Sequence, residues 1–295
     1  MNFFYEKKAK DIYIDKPSFI ISCKGLNFDY LVGGSSRVEN NFNTACFDSV
    51  CHLNGFNIGY SGSAMCQNYL TLYLFLKNGN KTKNYLQQVE DRFLINPKVF
   101  TYPFQDYFFM PYIGDSIVDE CYKHCVPSYK FFIWKNIPFL KYMEFKNYYA
   151  LNNLIKITKV DSGLIKSKGY SKLKMKHKKN FPLKSYERSS LEESVDSINI
   201  FYLDKIKELC KENNINFIIY SSPIYKESYL GYKPKNLHNA LLNYVSVNKI
   251  QYFDFMTDEK YSGSDFFLDE THLNAEGTDV FTKQLADTIK NYLQK

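Results

Sequence analysis

The sequence predicts an α/β protein, a three-layer α/β/α sandwich built on a central parallel sheet. Two observations predict it. Short apolar runs end in small-residue turns: residues 28–32 run into Gly33-Gly34-Ser35-Ser36, residues 56–60 into Ser61-Gly62-Ser63, and residues 216–220 into Ser221-Ser222-Pro223. Such runs read as buried strands entering tight turns. Between them lie segments with helical spacing of apolar residues, and strands that alternate with helices imply a parallel sheet covered on both faces.

Taken in order, residues 28–32 form the first strand and residues 56–60 the second. Residues 64–76 follow with Met65, Tyr69, Leu70, Tyr73 and Leu76 at helical spacing, and Gly79 ends that helix. Residues 99–104 read as a third strand. Residues 107–190 mix aromatics with Lys and Asn without a sustained period, so they are expected to form a large middle insertion in a single domain spanning residues 1–295. Ser190-Leu191-Glu192-Glu193 resembles a capping box opening a helix that runs to about residue 212. A buried strand at 216–220, a helix near 235–247, a strand at 250–255 and an amphipathic helix at 276–293 complete the pattern. In folds of this class the site lies at the carboxyl ends of the strands, where the small-residue turns fall.

The bulk composition suits a globular chain with a real core: 45% of residues are hydrophobic and 23% charged. With 26 Tyr and 25 Phe, aromatic packing is expected to dominate. No stretch reaches the roughly 18–20 apolar residues of a membrane span, and residues 1–15 lack a signal-peptide core. Seven scattered cysteines suit free thiols in a reducing compartment, so a cytoplasmic location is expected. Cys121 and Cys125 lack a second Cys/His pair at zinc spacing, so neither metal nor cofactor is expected. The net charge of +7 belongs to one segment: residues 166–188 alone sum to +8. That segment suits a solvated loop or contact with anionic lipid or an acidic glycan, and no nucleic-acid fold signature accompanies it.

Two motifs carry chemistry. Ser36 stands at a strand-to-helix turn, where free N–H groups favour developing negative charge, although such a turn equally suits a serine that merely caps the next helix. Asp269-Glu270-Thr271-His272 places a carboxylate three residues before an imidazole, in a loop between the last strand and the last helix. A carboxylate on one ring nitrogen fixes the tautomer and leaves the other nitrogen to act as a general base. Asp254, at the end of the last strand, is the competing acid. Arg37 suits either fixing the turn or holding a substrate oxygen. His52, His124 and His238 have no partner pattern.

With these residues in view, the chain resembles the SGNH (GDSL-like) hydrolase and acyltransferase superfamily. Gly34-Ser35-Ser36 matches its first block, Asn57-Ile58-Gly59-Tyr60-Ser61-Gly62-Ser63 resembles its second, and residues 269–277 resemble its last. The resemblance covers residues 28–106 and 215–293 and implies a flavodoxin-like fold. It implies Ser36 as nucleophile, His272 as base, Asp269 as its orienting acid and Gly62 as a backbone oxyanion donor. Where the family has G-x-N-D, this chain has Pro103-Phe104-Gln105-Asp106. Gln105 offers the same amide on a longer stem, or faces solvent and leaves the oxyanion to the Ser36 and Gly62 N–H groups. The function implied is a serine esterase that deacetylates a sugar or glycan. O-acetyl transfer to a surface polysaccharide and a catalytically silent carbohydrate-binding protein are the alternatives.

Overall fold

In this computed structural model, residues 16–90, 106–137, 139–145, 163, 166–173, 197–226 and 235–293 are described. Five strands, β1 (Asn27–Gly33), β2 (Gly55–Asn57), β3 (Lys81–Gln88), β4 (Asn216–Ser221) and β5 (Gln251–Asp254), form one parallel sheet in the order β2-β1-β3-β4-β5. The helices are α1 (Lys16–Ser22), α2 (Ser36–Asn41), α3 (Thr44–Cys51), α4 (Met65–Lys77), α5 (Ser116–Cys125), α6 (Ser128–Asn136), α7 (Leu140–Met143), α8 (Ser197–Glu212), α9 (Lys235–Val247) and α10 (Ala275–Leu293).

Side chains alternate across each strand, so the sheet divides two cores. Leu31, Tyr85 and Ile219 face a layer that includes Leu70, Leu74, Leu203 and Leu241 from α4, α8 and α9. Tyr30, Val32, Leu86, Ile218 and Tyr220 face Val38, Phe47, Phe281 and Leu285 from α2, α3 and α10. Both faces are covered, as the three-layer expectation requires.

The third strand is not where the apolar pattern puts it. Residues 99–104 lie outside the described residues, and the strand beside β1 and β4 is Lys81–Gln88. Its sequence, Lys-Thr-Lys-Asn-Tyr-Leu-Gln-Gln, has only two apolar residues, yet Thr82, Asn84, Gln87 and Gln88 are buried. Side-chain bonds make that tolerable: the Asn84 amide donates to the Asp29 carbonyl at 2.8 Å, and Tyr85 Oη donates to the Gln87 amide oxygen at 3.1 Å. A strand with buried polar side chains bonded in this way does not show in hydropathy.

The described part of the middle stretch is helical. A 3₁₀ helix at Asp106–Tyr112 and α5–α7 pack on the α4 side, with Phe131 and Trp134 buried. Phe108 meets Tyr60 edge-on at 5.1 Å, which joins this stretch to the loop after β2. Trp134 therefore belongs to the core. The capping box at 190–193 lies outside the described residues, and α8 is described from Ser197.

Chain order around β1 reverses between β2 and β3, and in open α/β sheets the crevice at that point, at the carboxyl ends of the strands, is where ligands bind.

Candidate active site

β1 delivers the chain to Gly34, and Ser35 caps α2, its hydroxyl accepting from the Arg37 N–H at 3.4 Å. Gly34 is required by close packing: a Cβ there would stand 2.3 Å from Val38 Cγ2 and 3.1 Å from Gln88 Cβ. Ser36, the first residue of α2, is half-buried.

The last strand-to-helix loop brings the base across. Asp269 Oδ1 accepts from the N–H groups of Thr271 and His272, both at 2.8 Å, and so folds the Asp-x-x-His segment round its own carboxylate. His272 Nδ1 lies 2.8 Å from Asp269 Oδ2, and His272 Nε2 lies 2.9 Å from Ser36 Oγ. Burial pushes the Asp269 pKa upward, but the hydrogen bond from His272, the backbone bonds and the charge of His272 outweigh it and hold that carboxyl well below the usual carboxylate range. An ionised Asp269 accepts a hydrogen bond from the Nδ1–H, which fixes that tautomer and leaves Nε2 as acceptor for the Ser36 hydroxyl. Asp254 instead lies 3.4 Å from His238 and caps the Met256 N–H, so the two carboxylates weighed from the sequence serve different histidines.

The loop after β2 closes the other side. Ser63 N–H donates to the Tyr60 carbonyl at 3.2 Å, which makes a turn with Gly62 at φ +76°, a conformation glycine adopts without strain. Tyr60 N–H and Ser63 Oγ both donate to the Gly34 carbonyl, at 3.3 and 2.7 Å. Among the described residues, neither the Ser36 N–H nor the Gly62 N–H has an acceptor.

Gln105, the proposed third donor, lies outside the described residues. The amide at the end of the actual third strand is Gln88, whose side-chain nitrogen and oxygen are buried with no described partner.

Several residues of the site carried no sequence signal. Arg37 is 2% exposed and donates to the Thr271 carbonyl at 3.1 Å, to the Ser222 and Pro223 carbonyls at 2.9 and 2.7 Å, and to Glu90 as a buried ion pair. Of the two roles weighed for Arg37, the contacts are those of a brace. Asn41 accepts from the Leu273 N–H at 3.0 Å and donates to the Thr271 carbonyl at 3.2 Å. Only the i+1 and i+5 positions after Ser36 announce these contacts, and their partners other than Glu90 lie more than 180 residues away. Of the basic segment, residues 166–173 are described: the Asn57 N–H donates to the Lys168 carbonyl at 3.0 Å and the Ser171 N–H to the Glu39 carbonyl at 2.9 Å. Lys168 pairs with Asp48. A separate cavity of about 550 Å³ is lined by Ser22, Lys24, Lys77, Tyr112 and Asp115 among others, and contains none of the residues above.

No family profile and no curated protein matches the chain. One solved structure, described as a "putative acylhydrolase" from Bacteroides fragilis NCTC 9343, is similar with a TM-score of 0.44 and 13% identity, over 90% of this chain and 87% of that one. No described helix is long and apolar enough to cross a membrane.

Proposed function

We propose that the chain is an SGNH-type serine ester hydrolase that removes an acetyl group from a sugar or glycan. The observation that carries this reading is the unbroken hydrogen-bond chain Ser36–His272–Asp269, assembled from residues 236 positions apart at the carboxyl edge of a parallel sheet.

The chemistry follows from the geometry. Ser36 Oγ forms a bond to the ester carbonyl carbon as its proton passes to His272 Nε2, and the carbonyl π pair moves onto oxygen. The Ser36 and Gly62 N–H groups, both without a described acceptor, serve the oxyanion; Gln105 is assigned as a third donor. The oxyanion then collapses, the bond to the sugar oxygen breaks, and His272 returns its proton to that leaving oxygen. Water adds to the acyl-enzyme by the same steps and releases acetate. Asp269 orients His272 and offsets its transient positive charge throughout.

The test is release of p-nitrophenol from p-nitrophenyl acetate by wild type and Ser36→Ala, with and without added sugars. The proposal expects serine-dependent release that sugars leave unchanged. Acceleration with formation of acetylated sugar would establish a transferase instead. No release by wild type, with sugar binding retained, would establish a silent binding protein.

A further inference from the structure

The carboxylate of Glu39 belongs to α2, three residues beyond Ser36. Its Oε2 accepts two hydrogen bonds from one residue, the N–H of Ser61 at 2.8 Å and the Ser61 hydroxyl at 2.7 Å. Lys16, itself 3% exposed and donating to the Gly169 carbonyl at 2.8 Å, stands 3.9 Å from the other carboxylate oxygen.

Glu39 holds the Ser61 N–H, which belongs to the Tyr60–Ser61 peptide, and the Ser61 hydroxyl, so it anchors the Cα from which the Ser61–Gly62 peptide and its Gly62 N–H extend. That next peptide is the central one of the turn closed by Ser63 N–H and the Tyr60 carbonyl. The φ of +76° at Gly62 is that of a type II turn and sets which way the central peptide faces, while the bonds to Glu39 set where the turn stands relative to α2. The other ties on this loop, from Tyr60 and Ser63 to the Gly34 carbonyl, fix its flanks and leave Ser61 untouched.

We infer that Glu39 is a positioning residue that sets the Gly62 N–H against the Ser36 N–H, so that two donors on separate loops converge on one oxyanion. The inference rests on the esterase reading. Both Ser36 and Glu39 are carried by one short helix, so the donor-to-donor spacing is fixed through the residues from Ser36 to Glu39 and one carboxylate rather than across the sheet. Positioning at this level matters because a displacement of about 1 Å can cost about 10²-fold in rate.

Three variants test it: Glu39→Ala, Glu39→Gln and, as reference, Ser36→Ala, with kcat and KM read on p-nitrophenyl acetate and amide exchange read at Ser61 and Gly62. A single oxygen accepts both bonds, so the glutamine amide oxygen can replace it. The expected result is a kcat lowered roughly 10- to 100-fold in Glu39→Ala with KM within about threefold, near-wild-type kcat in Glu39→Gln, and faster exchange at Ser61 in Glu39→Ala alone. Serine-dependent turnover that persists within about twofold in Glu39→Ala would overturn the inference and leave the esterase reading standing. A Glu39→Gln variant as impaired as Glu39→Ala would also overturn it, since the acceptor would then not be what matters. Absence of serine-dependent turnover in wild type would overturn the esterase reading itself, and this inference with it.

Discussion

Arg37 Nε donates to the Thr271 carbonyl at 3.1 Å, so the residue after Ser36 grips the residue before His272. The same guanidinium closes a buried pair with Glu90 beyond β3 and bonds two carbonyls beyond β4. Three strand ends and the base loop thus meet at one planar group. A lysine offers neither the fork nor the reach.

Breaking that pair from one side should be severe. Arg37→Met leaves Glu90 buried and unpaired, a situation that typically costs about 3–5 kcal/mol. Chemical denaturation should show that loss, and the double variant Arg37→Met/Glu90→Leu should recover part of it, because an apolar pair of similar volume needs no compensation. Turnover should not recover, since the Thr271 carbonyl keeps its bond from Asn41 but loses the one from Arg37. Recovery of both together would show that Arg37 acts on stability alone.

Asn41 is fully buried and holds the base loop from the next turn of α2. Asn41→Ala strands the Leu273 N–H, at a desolvation cost of about 1–3 kcal/mol, and leaves the Thr271 carbonyl to Arg37. A lower melting temperature and a lower kcat are both expected, read by thermal unfolding and by ester hydrolysis.

Acid should act through Asp269. Its folded pKa lies below the unfolded value, so its contribution to stability is full above the ordinary carboxylate pKa of about 3.9 and is lost as pH falls through the depressed folded value. Thermal unfolding of wild type and Asp269→Asn between about pH 2 and 6 should therefore converge at the acid end and separate above about pH 4. Parallel curves would contradict the assignment. At neutral pH the same variant should lose about 10⁴-fold in kcat, the size seen when an orienting carboxylate is removed from a serine-histidine pair.

Gly34→Ala tests the packing beneath the nucleophile. Its Cβ would meet Val38 Cγ2 at 2.3 Å, and overpacking of this kind costs about 1–3 kcal/mol. Val38→Ala in the same chain should relieve the clash and restore part of the activity. An unchanged single variant would show that the turn has room the coordinates deny.

The sequence made legible what its own local chemistry announces. β1, β2 and β4 carry apolar runs that end in small residues, and the Asp-x-x-His segment closes on itself through Asp269. β3 escaped because Thr82, Asn84 and Gln87 find hydrogen-bond partners inside the fold, where hydropathy cannot see them. Gln105 lies outside the described residues. Glu39, Asn41 and Glu90 look like ordinary surface residues in sequence, and only the fold supplies their partners on distant loops.

Every polar side chain of α2 is already committed: Ser36 to His272, Arg37 to four partners, Glu39 to Ser61, Asn40 to the Ser36 carbonyl and Asn41 to the base loop. Successive residues leave a helix about 100° apart, so these commitments radiate in different directions and a slip of one residue would break all of them together. Variation within this helix is thus barred, and any change in what the site accepts must come from the outer rims of the loops it holds.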